Sequence, residues 1–294
     1  MKYLFNKTFL DHNIGSVYEG GYRLEAFKDL DDTEYDGEQF LELVHTKEYI
    51  SQIKNSCECG ETLAEVKLSP TSFKAACLAV GLSVLASENN DFAIIRPPGH
   101  HAFQEKASGF CLFNNIAIAA TKLANEGKKV FILDIDGHHG DGTQAIFYND
   151  PRVFYCSIHQ QNSYPYTGTF MEVGSGEGLG QTLNIPIPEN SGEKEFLKAV
   201  DKAIETAKKV DADIIGVSAG FDGFRKDRLL DLMYSYHAFY ECAYRLRKNF
   251  KQVFAVLEGG YHEDLRMCTD MFLDGVNKGA KPSKIKWNPE LSVG

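Results

Sequence analysis

The chain lacks a cysteine framework: its seven cysteines lie scattered at 57, 59, 77, 111, 156, 242 and 268. An odd number at scattered spacings excludes the paired framework of a small disulfide-stapled domain. Cys57 and Cys59 form one CxC with no second pair, so no zinc knuckle is expected there. Long hydrophobic runs are not expected either, since no window is read as reaching the roughly 18 apolar residues of a membrane span. The first ten residues, MKYLFNKTFL, lack the apolar core and small-residue cleavage site of an export signal. The expectation is a cytoplasmic protein that engages no membrane. Basic residues are also short: 31 Lys and Arg face 41 Asp and Glu, for a formal charge of −10. That argues against a nucleic-acid surface, which needs clustered cations to displace counterions. The same acidity would suit a cationic substrate.

What is present reads as one α/β domain spanning 1–294, with 43% hydrophobic and 24% charged residues. Brief apolar runs predict strands at 92–95 (FAII), 130–133 (VFIL), 153–157 (VFYCS), 214–217 (IIGV) and 253–257 (VFAVL), each buried on both faces. Helices are predicted between them. One opens with Ser69 as N-cap and Pro70 at its first position, another ends near Gly127, and a third places Phe196, Leu197, Val200 and Ile204 on one face. Alternation of strand and helix implies a mainly parallel sheet covered by helices. Ligands of such sheets bind beyond the carboxyl ends of the strands.

Nearly every chemically rich segment follows a predicted strand: RPPGHHA, DIDGHHGDG, IHQ, SAGFDGF and EGGYHEDL. In the stretch 133–144, LDIDGHHGDGTQ, residues two apart point the same way when extended, so Asp134, Asp136 and His138 share a face. An Asp and a neutral His two residues apart suit a zinc ion, and Asp222 is the best third ligand, an acid just past a strongly apolar strand. On spacing alone, a polar turn whose side chains only satisfy its amides explains Asp136 and His138 equally well. In RPPGHHA the turn at Pro97, Pro98 and Gly99 holds His100 and His101, either of which could act as general base, with Asp134 and Asp141 as two spare acids to orient them. Gly259 and Gly260 leave the backbone free to bring the Tyr261 hydroxyl towards the metal, where it could bind an oxyanion. His12, His45, His139, His159, His237 and His262 are read as structural.

RPPGHHA, GFCLFNN, DIDGHHGDGTQ, SAGFD and EGGY, in this order, resemble the zinc-dependent histone deacetylase superfamily, which includes acetylpolyamine amidohydrolases and acetoin-utilisation proteins. VHTKEYI at 44–50, SPTS at 69–72 and GSGEGLGQTLNIPIP at 174–188 extend the match along nearly the whole chain. GFCLFNN resembles the class II and prokaryotic branches. The resemblance implies an arginase-like α/β fold with a central eight-stranded parallel sheet and helices on both faces. It implies Asp136, His138 and Asp222 as ligands of Zn²⁺, with Fe²⁺ as the alternative. It makes His101, backed by Asp141, the general base and acid; His100, backed by Asp134, its electrostatic partner; and Tyr261 the group that polarises the amide carbonyl. Phe110 and Tyr164 would wall a narrow acyl channel, with the Gly109 carbonyl and Gly260 also at the substrate. Arg23 would line an inner acetate-exit cavity. Ser157 and Ile158, with the main chain of Asp134, Asp136 and His138, would hold a potassium ion.

The reaction so implied is hydrolysis of the N-acetyl amide of acetyl-lysine or of a small acetylated amine. Two other readings compete. A binuclear manganese ureohydrolase of the arginase type needs further acids that SAGFDGF lacks, and a catalytically dead acetyl-lysine reader would be expected to lose Tyr261 or a paired histidine. Some segments depart from the family pattern. YPYTG at 164–168 carries Tyr166 where the family has glycine, and VYEGGYR at 17–23 replaces a proline-containing loop. The segment at 55–68 offers Glu58 and Glu61 for gripping a substrate backbone without deciding between them. Nothing in the residues sets an oligomeric state.

Overall fold

The apolar runs become the middle of one parallel sheet. The computed structural model describes residues 1–12, 15–63 and 65–278. Among these the strands are β1 (Tyr3–Leu4), β2 (Thr62–Leu63), β3 (Val66–Lys67), β4 (Phe92–Ala93), β5 (Val130–Asp134), β6 (Val153–Gln160), β7 (Thr182–Ile187), β8 (Ile214–Ala219) and β9 (Val253–Leu257). The sheet order is β1-β4-β9-β8-β5-β6-β7, every pairing parallel. β2 and β3 form a separate antiparallel hairpin. All residues of β5, β6, β8 and β9 are buried. Because successive side chains point to opposite faces, both faces must be covered.

The described sheet holds seven strands rather than the expected eight. Beyond β1 the next position is reduced to a single parallel bridge from Phe5 to Asp32, where the Thr33 N–H meets the Phe5 carbonyl at 2.7 Å. The exposed acids Asp29, Asp31 and Asp32 favour solvent over a further rung. β4 is also shorter than FAII suggests, because Ile94 and Ile95, though buried, already lead into the turn before His100.

Among the described residues eight α-helices pack around this sheet: α1 (Thr8–Asp11), α2 (Lys47–Cys59), α3 (Pro70–Asn89), α4 (Asn115–Asn125), α5 (Asp141–Phe147), α6 (Glu193–Lys209), α7 (Tyr236–Asn249) and α8 (Leu265–Lys278). The α3 start follows its residues: Pro70 needs no N–H donor at the first position, and the Ser69 N–H donates to Ser72 Oγ at 2.9 Å. α4 is capped by Asn114, whose side chain accepts the Ala117 N–H at 3.1 Å. In α6 the apolar stripe Phe196, Leu197, Val200 and Ile204 is buried.

α3 corrects one expectation. It is long and apolar enough to cross a membrane, with a mean hydropathy of 1.3 over an 18-residue window, 72% of which is buried inside the fold. Counting consecutive apolar residues misses it because Lys74, Gly81 and Ser83 interrupt the run.

The strand order sets the place of the site. From β5 the chain moves outward through β6 and β7, then returns to β8 on the other side of β5 and continues to β9. β5 and β8 therefore flank the point where the order reverses, and such sheets form their ligand-binding crevice beyond the carboxyl ends of that strand pair. DIDGHHGDG leaves β5 there, and FDGF leaves β8.

Candidate metal centre and active site

Three buried side chains converge at that crevice. One ligand atom from each of Asp136, His138 and Asp222 lies within 4.8 Å of the other two. His138 Nδ1 is 2.6 Å from Asp222 Oδ2 and 3.3 Å from Asp136 Oδ1. The carboxylates are aimed by the backbone: the Gly137 N–H donates to Asp222 Oδ1 at 2.6 Å, and the Gly259 N–H to Asp136 Oδ2 at 2.7 Å. Asp136 Oδ2 lies so close to Gly220 and Gly259 that a Cβ there would stand 2.0 and 2.6 Å from it. Glycine is what the motifs SAGFD and EGGY need at these points.

The electrostatics of the trio call for a cation. Burial, then the charge of Asp136, pushes Asp222 up to about 7. Burial opposes charge on His138, but Asp222 and Asp136 outweigh it and raise the imidazole to about 10. Two carboxylate oxygens and one imidazole nitrogen fit a divalent ion with an open position.

The paired histidines sit beside the trio, their rings 4.0 Å apart. His100 Nδ1 lies 3.1 Å from Asp134 Oδ2, which also accepts the Tyr155 hydroxyl at 2.9 Å. His101 Nδ1 lies 2.7 Å from Asp141 Oδ1. Their environments split them. Burial disfavours charge on His100, yet Asp136 and Asp134 overcome it and raise the ring well above its usual value. Burial, reinforced by charged His100, lowers His101 to about 4. The two rings are pushed in opposite directions, which is how acid and base roles separate.

Tyr261 closes the site from β9. It is buried, and burial keeps its hydroxyl protonated by raising it well above the usual range. The Arg23 guanidinium stacks 4.7 Å from its ring and donates to the Gly260 and Glu258 carbonyls at 2.8 and 2.7 Å. At the mouth, Phe110 lies 6.2 Å from the Tyr261 ring, and Tyr164 lies 5.2 Å from His101. Gly109 takes φ +50, and a Cβ on it would stand 2.5 Å from the His101 ring. Ser157 is buried opposite Asp134 in the β5–β6 register, with its hydroxyl 2.8 Å from His159, and Ile158 follows it in the core.

Of the two acids offered at 55–68, Glu61 is taken by Ser56 at 2.6 Å and Glu58 stands exposed on α2. Glu65, in the turn between β2 and β3, is the acid whose charge reaches the Tyr164 hydroxyl, which burial first and then Asp141 and Glu65 raise. Several other residues escape a reading of the motifs. Glu258, the acid of EGGY, accepts the Gly99 and His100 N–H groups at 2.7 and 3.1 Å and so fixes the histidine turn; burial raises it to about 7. Asp227 accepts the Tyr261 N–H at 2.7 Å. Glu19, fully buried, bridges Arg23 and Arg96 at 3.1 and 2.6 Å. A lone acid before GGY is the signal for Glu258, Glu19 is the acid of VYEGGYR and carries no role in the motif reading, and Asp227 has no signal. His139 bonds Thr167 and Gln144 at 2.8 and 3.0 Å, while His45, His159 and His262 each have partners within the fold.

Comparison with known proteins adds a lineage to this geometry. Residues 28–276 match the histone deacetylase domain. The chain is 37% identical over 250 residues to the rice "Histone deacetylase 10, chloroplastic", covering 76% of this chain and 56% of that protein. It is 38% identical over 225 residues to the Burkholderia pseudomallei "Acetylpolyamine amidohydrolase", covering 75% and 65%. The chain thus matches a little over half to two thirds of the length of these two relatives. The solved HDA15 HD domain superposes with a TM-score of 0.85 at 30% identity, over 95% of this chain and 90% of that one.

Proposed function

The chain belongs to the histone deacetylase domain family, and on that premise we propose that it is a zinc-dependent amidohydrolase acting on the N-acetyl amide of acetyl-lysine or of a small acetylated amine. The observation that carries this reading is the pair of adjacent histidines, each backed by its own carboxylate, Asp134 and Asp141, beside the trio of Asp136, His138 and Asp222.

A divalent cation held by the trio supplies Lewis acidity towards a carbonyl oxygen and acidifies a water. The side chains do the rest. Neutral His101, its Nδ1 oriented by Asp141, takes the proton from the attacking water at Nε2. Charged His100 stays protonated and offsets the developing negative charge. The Tyr261 hydroxyl donates to the same carbonyl oxygen as it gains charge. The C–N bond breaks, His101 returns its proton to the leaving amine, and acetate and amine result. Phe110 and Tyr164 hold the alkyl chain of the substrate, and the Gly109 carbonyl accepts its amide N–H.

Iron is the competing metal, because two carboxylates and an imidazole do not select zinc over Fe²⁺. A structural potassium ion is assigned to Asp134, Asp136, His138, Ser157 and Ile158. A binuclear ureohydrolase would need a second set of acids, and among the described residues this trio is the one such group. Turnover of acetyl-lysine peptides, acetylputrescine, acetylspermidine and trifluoroacetyl-lysine by zinc-loaded protein tests the proposal. Acetate or trifluoroacetate release from at least one is expected, and inertness towards all four classes with either metal would refute it.

A further inference from the structure

Seven described non-glycine residues adopt a positive φ. Asn90, Asn162, Asn190 and Asp211 are of the type whose short polar side chains tolerate that conformation. The other three are bulky: Glu65 at 66°, Phe110 at 67° and Tyr166 at 64°. All three belong to the mouth of the site. Phe110 faces Tyr261, Glu65 acts on the Tyr164 hydroxyl, and Tyr166 closes the turn that carries Tyr164, its N–H donating to the Ser163 carbonyl at 2.7 Å. Backbone strain of this kind survives where surrounding structure over-determines it, and it gathers at functional sites.

Tyr166 is the case that packing does not explain. Its side chain is 78% exposed, so the strained backbone presents an aromatic ring to solvent. The frame behind it is rigid. Thr167 Oγ1 bonds His139 Nδ1 at 2.8 Å, and the Gly168 carbonyl bonds His159 Nε2 at 3.0 Å. Glu172 gathers the Gly168 and Thr169 N–H groups at 3.1 and 2.8 Å and is itself held by Gln144 at 2.6 Å. The ring therefore projects from the same scaffold that carries His138. Phe170 and Met171, in the loop that follows, are each 71% exposed.

We infer that Tyr166 is a specificity-determining residue that covers the polypeptide on either side of an acylated lysine, so that the site prefers acyl-lysine within a peptide to a small acetylated amine. The inference rests on the amidohydrolase reading and names its substrate class. A small acetylated amine ends in a hydrated cation, to which an exposed phenol ring offers only a weak cation–π contact. A peptide offers amide planes and apolar neighbours, and a rigid aromatic with few rotatable bonds covers these at low entropic cost.

The test compares wild type, Tyr166→Gly and Tyr166→Phe on an acetyl-lysine peptide with leucine neighbours and on acetylputrescine. Glycine suits the local φ, so Tyr166→Gly relieves the backbone and should fold. It is expected to lower the peptide-to-acetylputrescine ratio of kcat/KM about tenfold, through the peptide KM, with Tyr166→Phe keeping the ratio. An unchanged ratio, or an equal fall on both substrates, overturns the inference. Binding of the same peptide to His101→Ala protein, read by fluorescence polarisation, separates the two claims. A roughly tenfold weakening on adding Tyr166→Gly supports the inference even where turnover is absent, whereas absent turnover by metal-loaded wild type counts against the amidohydrolase reading alone.

Discussion

The floor of the site and its mouth are built on opposite plans. On the floor, Asp134, Asp136, His138, Asp222, His100 and His101 are all buried, and each is held by a named partner. At the mouth, Tyr166 stands in solvent and Phe110 and Tyr164 are half-buried, and backbone strain rather than burial marks Phe110 and Tyr166. The contrast follows from chemistry. Placing charge and protons demands a water-poor, pre-aimed interior, whereas meeting a chain molecule needs accessible, rigid surface. Damage to the floor should abolish turnover, and damage to the mouth should change what is turned over.

The largest effect is expected at Asp222. Asp222→Ala should lose the bound metal and lower acetate release on the order of 10³-fold or more, measured alongside metal content by mass spectrometry. Full activity in that variant would remove Asp222 from the floor. His101→Ala and Tyr261→Phe should each slow kcat by roughly 10²- to 10³-fold while zinc stays bound, since neither holds the metal. Metal loss in either would mean the two sets of residues are wrongly divided.

Asp227 tests a link between the regions, because its carboxylate fixes the Tyr261 backbone from the loop that follows Asp222. Asp227→Ala should cost about tenfold in kcat with little change in KM, and Asp227→Asn, whose amide oxygen still accepts that N–H, should recover most of it. No difference between the two variants would show that the hydrogen bond is idle.

Proton linkage supplies the gentlest probe. Before metal binds, Asp222 titrates near 7 and His138 near 10, both raised, so protons must leave for the metal to enter. Apparent zinc affinity should therefore rise with pH between about 6 and 9, by up to about tenfold per unit for each proton displaced. Calorimetry in buffers of different ionisation enthalpy would count those protons. An affinity independent of pH would contradict the assignment.

How much of this was legible in the residues also divides along the floor and the mouth. The five inner strands announce themselves because burial on both faces makes each a continuous apolar run. β1 and β7 do not, one being a two-residue edge strand and the other carrying half-buried Leu183, Ile185 and Pro186. The floor residues are legible because their chemistry concentrates acid and imidazole at strand ends. Glu258 and Asp227 are hidden because their partners are backbone N–H groups distant in sequence, such as Gly99 and Tyr261, which no local pattern encodes. The Tyr166 departure was visible as a residue, but its meaning depends on a backbone angle and an exposure that only the fold supplies.

The central claim is that Asp136, His138 and Asp222 hold the metal on which hydrolysis depends. Its most direct measurement strips the purified protein with a chelator and follows acetate release from an acetyl-lysine peptide and acetylputrescine as Zn²⁺ is returned. The account predicts that turnover vanishes on stripping and returns fully at one equivalent per chain in the wild type, but not in Asp222→Ala. Undiminished turnover by the stripped protein, or recovery in Asp222→Ala, would contradict it.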